Sequence, residues 1–354
     1  MKKITFLLRL GLLGAIAFAP MSSIAQKDVA AFLRLDPQDA AKLSEAYLKP
    51  FGKGLGWGLS GSWYNSGKPH KLGGFDLTFS LNTVIVPSSD KSFNLTGLGL
   101  SSNVSSVDPL KTTSPTVSGS SSGLPVKYTT TIDGVPNQSV QFNLPSGGNL
   151  SAIPMPILQA GIGLPFHTEI VGRYVPKVDI PDVGNVSLWG IGIKNEFKEL
   201  IPGISLLPFS LSAMVGYTSF NSDIDISYKP EASAPSATYY KDQMLNVKSS
   251  AIATRLIISK SLPVLTVYAG VGYNITKTTM DLKGNFPVGL EMQGGQPVIS
   301  GNENLNDPLS LSFKNNGVSA NAGFRLKLAV IAFHVDYTLA KYSTVNAGIG
   351  INFR

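Results

Sequence analysis

The last ten residues of the chain, 345–354, place an apolar side chain at every second position, with small or polar residues between. A strand with one face in lipid and the other in water has this pattern, and transmembrane barrels place aromatic residues such as Phe353 at the membrane interface. Soluble β-sandwiches alternate too, but they rarely close a sequence in this way. The segment Val345 to Phe353 therefore predicts a final barrel strand, through which we expect outer-membrane insertion machinery to take up the chain.

The other end of the chain resembles an export signal. Its first residues are basic, Leu10 to Ala19 form a short apolar core, and the small residues of Ser23 to Ala25 suit a signal peptidase. This core is far shorter than the roughly 20 residues that a membrane-spanning helix needs. We expect residues 1–25 to be a cleaved signal peptide, and the mature chain, beginning at Gln26, to reach the outer membrane of a Gram-negative bacterium.

Composition agrees with a barrel in contact with outer-membrane lipid. Charged residues are 14% of the chain, against roughly 25% in ordinary soluble domains. The formal charge of +7 falls by three when the signal segment is removed, which is too little and too dispersed to predict nucleic-acid binding. The chain has no cysteine, so it has neither a disulfide framework nor a cysteine-linked lipid anchor.

The first part of the mature chain, residues 26–53, differs from the rest. Asp36 and Pro37 suit the start of a helix, apolar residues then recur at helical spacing, and Pro50 is expected to end it. The sequence predicts a short amphipathic helix. It leaves open whether this helix plugs the barrel or forms a periplasmic arm.

From residue 54 to residue 354 we predict the barrel itself, because the apolar period becomes two. The expected first strand carries Leu55, Trp57, Leu59 and Trp63 on one face, and the next strand begins near Phe75. Counting backward from the C-terminus gives an all-β, antiparallel barrel of about 12 strands, with 14 or 10 as alternatives, because single-chain bacterial barrels have even strand numbers. The favoured count includes a strand near Phe93, and 14 would add the later hairpin of that connection.

The connections between strands predict the orientation of the barrel. Three turns with the sequence Leu-Pro-apolar begin at Leu164, Leu207 and Leu262, and each precedes a strand. Proline is tolerated there because the start of a strand does not need its missing backbone N–H for the sheet hydrogen bonds. Short turns belong on the periplasmic side, and the long polar connections 88–154, 221–246 and 283–310 on the outside.

One hairpin can be assigned a register from the sequence. If Ala329 and Val330 form the turn, Leu328 faces Ile331 on the lipid side and Arg325 faces His334 in the lumen. Inward faces are expected for most charged residues, because a charge facing lipid costs roughly 2 to 4 kcal/mol at mid-membrane. The sequence thus predicts a polar lumen cluster in which paired charges form a salt-bridge network. Its members are Arg325, His334, Asp336, Lys327 and Arg255.

Several runs in the chain resemble a poorly characterised outer-membrane β-barrel family of Bacteroidota. They are Ala46 to Pro50, Gly61 to Tyr64, His70 to Asp76, Gly163 to Pro165, Gly172 to Pro176 and His334 to Tyr342. That family in turn is similar to long-chain fatty-acid transporters, barrels with an N-terminal plug. The resemblance implies a barrel that moves small hydrophobic or amphipathic molecules, and it names no reaction.

No residue pattern predicts an enzyme, a cofactor or a metal site. Gly119 to Gly123 matches the nucleophile-elbow string, but it lies in a low-complexity loop without the required strand and helix. Two functions remain. The resemblance favours a channel or transporter for a small hydrophobic or amphipathic ligand, and the alternative is a structural or accessory subunit of an outer-membrane assembly.

Overall fold

Ten antiparallel strands close into a barrel. The computed structural model describes residues 32–181, 183–226 and 243–353, with the backbone alone for 298–303. In spatial order the wall contains β1 (Phe75–Ile85), β7 (Ala152–Leu164), β8 (Thr168–Ile180), β9 (Gly184–Glu196), β10 (Ser210–Asp225), β11 (Met244–Ser261), β12 (Leu265–Lys283), β16 (Gly317–Leu328), β17 (Ile331–Leu339) and β18 (Thr344–Phe353). Because β1 pairs with both β7 and β18 while β11 pairs with β12, the ring has no open edge.

The favoured count of 12 strands is wrong, and the alternative of ten agrees with the structure. The segment near Phe93 forms β2 (Ser92–Asn94), which pairs only with β4 (Thr113–Pro115). The later hairpin joins a separate sheet made of β3 (Val104–Ser106), β5 (Pro125–Ile132) and β6 (Val135–Asn143). Because β1 pairs directly with β7, neither segment enters the wall between them.

The small sheets lie at the end of the barrel where β1 ends, together with a hairpin of β13 (Asn285–Gln293) and β14 (Gln296–Asn306). We call residues 86–151 and this hairpin the cap. An eleventh strand, β15 (Leu309–Lys314), extends the wall toward the cap, since it pairs with β12 in the same register as β16. The opposite end of the barrel carries the three Leu-Pro turns and the Ala329 turn, and we call it the short-turn end.

The two faces of the wall have the chemistry that the alternation predicts. Thr78, Ser80 and Asn82 of β1 point inward and are buried, while Leu77 and Leu81 point outward and are exposed. The predicted hairpin register is confirmed: Arg325 pairs with His334, and the apolar partners on either side face outward. An outer surface made of large exposed apolar side chains therefore surrounds a polar inner surface.

A single long helix, α1 (Pro37–Ser60), runs inside this barrel and contacts β1, β7, β10, β11 and β12. It begins at the predicted residue but passes through Pro50 instead of stopping there, and its 24 residues cross the expected boundary at residues 53 and 54. The first wall strand begins only at Phe75. Proline inside a helix costs about 3 kcal/mol, and burial of α1 against the wall supplies compensating contacts. Among the described residues, no helix is both long and apolar enough to cross a membrane.

The prediction of a wall strand at Leu55 to Trp63 is wrong. Residue types can alternate at every second position in a helix too, when the helix lies in a narrow lumen between two walls. Two helical residues span about 200°, so every second residue faces the opposite side of the lumen. Gly52 and Gly56 lie against β15 and β12, whereas Gly54 and Gly58 lie against β7 and β1. The alternating glycines therefore fit α1 between two opposing walls.

The helix enters the barrel from the cap end. Near its start, the Asp39 carboxylate accepts a hydrogen bond from the Ser101 amide at 3.0 Å, and the Tyr47 hydroxyl donates to the Ser146 carbonyl at 2.9 Å. After α1, the chain descends to the short-turn end, where the Gly67 amide donates to Ser259 Oγ at 2.9 Å. We call α1 and the following residues 61–74 the plug. The predicted signal peptide and the expected mature N-terminus at Gln26 lie outside the described residues.

Candidate functional site

Two arginines of the wall hold the C-terminal end of α1. Arg173 of β8 donates from Nη1 to the Leu59 carbonyl at 3.0 Å and from Nη2 to the Gly61 carbonyl at 2.6 Å. Arg255 of β11 donates from Nη2 to the Ser60 carbonyl at 3.3 Å. The last carbonyls of a helix lack internal partners and carry the negative end of its dipole. Since α1 has no basic residue in its own last turn, the wall supplies these cations.

The Arg173 guanidinium also lies over the Trp63 ring, with Cζ 3.6 Å from the ring centroid. That ring lies where Gly192 and Gly216 leave space on the wall. Within the described ranges, neither Arg173 nor Arg255 forms an ion pair with a carboxylate. Carbonyl dipoles and an aromatic face therefore stabilise the Arg173 charge. The sequence predicted an inward face for Arg255, and for most charged residues, but gave no sign that either arginine binds the helix.

A second network holds the plug at the short-turn end. Glu169 Oε1 lies 3.0 Å from Lys194 Nζ, and Glu169 Oε2 lies 2.7 Å from His70 Nδ1. The Lys194 ammonium also donates to the Ser66 carbonyl at 3.1 Å. These contacts attach the plug, through His70 and Ser66, to β8 and β9. The buried Lys194 and Glu169 are hydrogen-bonded as well as paired, which buried charges require.

The sequence did not predict the meeting of His70, Asp76 and Glu169, whose ligand atoms all lie within 4.8 Å of one another. These residue types can bind a divalent metal ion. Here, however, Lys194 already neutralises the Glu169 carboxylate, and the backbone amide of His70 donates to it at 2.9 Å. The other ring nitrogen of His70 meets the side-chain amide of Asn352. The hydrogen-bonding groups are thus satisfied without a metal, and the arrangement fits a structural clasp.

The five residues of the predicted lumen cluster all lie on inward faces, but they do not form one network. The Arg325 guanidinium donates to Asn65 of the plug at 3.0 Å, and Lys327 donates to Asn352 at 2.6 Å. Arg255 binds the end of α1, as described above. His334 is buried, and its Nδ1 has no hydrogen-bond partner among the described residues.

The predicted salt-bridge network around Asp336 is wrong, because the strand register sends its carboxylate elsewhere. Asp336 pairs with Gly323, which pairs in turn with Tyr268 of β12. Since Gly323 has no side chain, the Tyr268 hydroxyl reaches across it and donates to Asp336 Oδ2 at 3.0 Å. The Asn346 amide of β18 donates to the same oxygen at 2.8 Å. Neutral donors, and not Arg325, therefore satisfy the carboxylate.

At the cap end, Asp90 joins the cap to both the plug and the wall. Its carboxylate lies 3.1 Å from the Lys49 ammonium of α1 and accepts a hydrogen bond of 2.5 Å from the Tyr342 hydroxyl, just beyond β17. Burial opposes ionisation of Asp90, but these two partners outweigh it and lower the pKa of the carboxyl. Burial, together with the nearby Asp90 charge, raises the pKa of Tyr342. A cleft of about 290 Å³, lined by both charged and apolar residues, lies beside this contact, between α1 and the cap.

The strand pairing and the plug contacts define a closed β-barrel with an internal helical plug. Within that class, the chain belongs to a family of unknown function, DUF6588, whose model matches residues 1–353. The chain matches none of the curated proteins.

Solved structures with low similarity include three bacterial proteins. Ail, the attachment invasion locus protein of Yersinia pestis, is 7% identical with a TM-score of 0.27, and the match covers 80% of this chain and 98% of Ail. The translocator domain of the autotransporter NalP from Neisseria meningitidis is 10% identical with a TM-score of 0.28, over 80% and 89% of the two chains. Neisserial surface protein A is 10% identical with a TM-score of 0.24, and the match covers 79% of this chain and 96% of that protein. These TM-scores are low, and it is the strand pairing of this chain that defines its barrel.

Proposed function

We propose that this protein is an outer-membrane β-barrel whose lumen is sealed by its own N-terminal plug, and that it serves as a structural or accessory component of an outer-membrane assembly. The apolar outer face supports the membrane location, because lipid is the solvent in which such a surface is stable. The proposal includes export by a cleaved signal peptide and insertion through Val345 to Phe353. It includes no catalytic step, cofactor or nucleic acid.

The observation that carries this proposal is the close fit of α1 between opposing walls. A methyl group added at Gly56 would lie 2.7 Å from Thr276 Cβ, and one added at Gly58 would lie 2.7 Å from Met155 Cγ on the other side. The helix therefore packs directly against both walls at these positions, and in this proposal it seals the lumen. A barrel in this state supports the cap at the surface but does not conduct.

A second candidate is a channel or transporter for small hydrophobic or amphipathic molecules, as in the fatty-acid transporters that the sequence resembles. An apolar groove of about 880 Å³ on the outside of the wall favours it, because an apolar molecule could travel along the wall without entering the lumen. Passage through the lumen would require the plug to leave its position.

Native mass spectrometry of the protein, extracted from its own membrane in mild detergent, separates the two functions. An accessory component should retain protein partners at a fixed stoichiometry. A transporter should appear alone with a reproducible small-molecule mass. The second result would overturn our preference.

Location and orientation can be tested separately because the chain has no cysteine. We propose single replacements at Leu110 in the cap, Gln38 at the start of α1 and Leu206 at the short-turn end, all of which are exposed. A membrane-impermeant maleimide added to intact cells should label Leu110→Cys and Gln38→Cys, and should label Leu206→Cys only after permeabilisation. The reverse pattern would contradict the orientation, and labelling of none of the three in any sample would contradict the exposure of these positions.

A further inference from the structure

A line of outward-facing residues crosses five neighbouring strands of the wall. Ala213 of β10 pairs with Leu256 of β11, which pairs with Val271 of β12. Val271 pairs with Ala320 of β16, and Ala320 with Leu339 of β17. Their side chains are exposed on the outside of the barrel. The two alanines are small, so the surface is lower there than at the larger residues between and above them.

This line forms the floor of the apolar groove of about 880 Å³. Its outer rim includes Thr254, Tyr273 and Val318, which form the next outward row toward the cap. The volume falls within the roughly 300 to 1,000 Å³ of ordinary ligand sites. Because its exposed side chains belong to the outer face, the groove opens sideways toward lipid and not into the lumen.

One end of the groove is positively charged. Lys341, which follows β17 at the cap end, lines the groove and is exposed. It forms no ion pair with any residue in the described parts of the chain. Lys341 therefore supplies the positive charge at this end of the groove. A lysine beside an apolar surface at the membrane boundary suits an anionic lipid headgroup.

We propose that this groove binds an acidic, phosphate-bearing lipid of the outer leaflet, with its acyl chains along the line from Ala213 to Leu339 and its phosphate at Lys341. The inference rests on the proposed outer-membrane location. A zwitterionic lipid has the same chains but offers no net negative charge to Lys341, so it binds more weakly. The groove gives the barrel a defined lipid at one position instead of a uniform lipid coat.

The test is native mass spectrometry of delipidated full-length barrel, titrated in detergent with phosphatidylglycerol or phosphatidylcholine. We expect one phosphatidylglycerol to be retained several-fold more tightly than phosphatidylcholine. Ala320→Phe should remove this site, because the ring fills the floor of the groove. Ala160→Phe is the matched control, since Ala160 is an exposed outward alanine of β7 on the other side of the barrel.

Lys341→Gln should abolish the preference for phosphatidylglycerol while retaining binding of both lipids. Inorganic phosphate should not compete, because the chains contribute most of the contact; full competition would identify a free-phosphate site and overturn the proposal. Equal lipid binding by Ala320→Phe and Ala160→Phe would also overturn it, as would a dimer that forms without lipid and dissociates in Ala320→Phe. If cysteine labelling supports the outer-membrane orientation but these lipid results fail, only the lipid inference is lost.

Discussion

Replacing Gly56 with alanine tests whether α1 lies against the wall. In an exposed helix this change stabilises the protein by roughly 0.5 to 1 kcal/mol, because glycine loses more backbone entropy on folding. In this barrel the new methyl group would lie 2.7 Å from Thr276 Cβ and 2.8 Å from its Oγ1. Thr276 Cβ is bonded directly to the β12 backbone, and Oγ1 is held by its hydrogen bond to the Asn315 carbonyl at 2.6 Å, so neither atom moves away as the end of a long side chain can.

The magnitude follows from these two opposing effects. Overpacking a closely packed site costs about 1 to 3 kcal/mol, which exceeds the gain in helix propensity. We therefore expect Gly56→Ala to lower the free energy of unfolding by about 1 to 2 kcal/mol. Gly54→Ala is the matched control, because the atom too close to its methyl group is the flexible end of Ile153, at Cδ1, while Tyr342 and Val84 lie at ordinary contact distances of 3.6 and 3.7 Å. That variant should be neutral or slightly stabilised.

Urea-induced unfolding in detergent, followed by tryptophan fluorescence, measures the difference. Trp57 and Trp63 are buried in the plug and report its release. A Gly56→Ala variant more stable than the wild type would refute the close fit of α1 in the lumen. Equal destabilisation of both variants would show that the two faces of the helix are equally rigid, contrary to the contacts described.

Three further predictions concern the contacts that hold the plug and the cap. Arg173→Ala should lower the free energy of unfolding by about 1 to 3 kcal/mol, because the Gly61 carbonyl loses its donor and the Leu59 carbonyl keeps only Thr218 Oγ1 at 3.3 Å. No change in urea unfolding would contradict the role of Arg173 in holding α1. Glu169→Gln should lower the free energy of unfolding by about 3 to 5 kcal/mol, because it leaves the Lys194 ammonium buried without a paired carboxylate. A melting temperature equal to that of the wild type would argue against the clasp. The stabilisation from Asp90 should be present above the ordinary carboxyl pKa and should be lost as the pH falls through the lowered pKa of Asp90. The stabilisation from Tyr342 should be complete below the ordinary tyrosine pKa and should be lost in more alkaline solution. Proteolysis of the cap as a function of pH measures this dependence, and an Asp90→Asn variant with the same acid profile as the wild type would contradict it.

The wall strands were predictable because each has a different environment on its two faces. Alternation in β1, β10, β12, β17 and β18 needs no knowledge of the partner strand, since lipid and lumen select side chains independently on each strand. The register of the β16–β17 hairpin also followed from local residues, because a two-residue turn determines which residues pair.

The plug was not predictable in the same way. Its glycine alternation fits a strand as well as it fits a helix between two walls, and only the surrounding barrel distinguishes them. The contacts of Arg173, Arg255 and Asp336 likewise depend on residues far away in the sequence. No local pattern in the chain specifies that Gly323 lets Tyr268 reach Asp336.

The sequence by itself determined the antiparallel barrel, the direction of its faces and the inward position of the five cluster residues, because these follow from side-chain periodicity along single strands. The tertiary structure alone decided the ten-strand closure, the occupied lumen and the choice of partner for each buried charge. Those features depend on the distance between elements, which is set only when the wall closes around α1 and leaves a lumen just wide enough for a helix with glycine on two opposite faces.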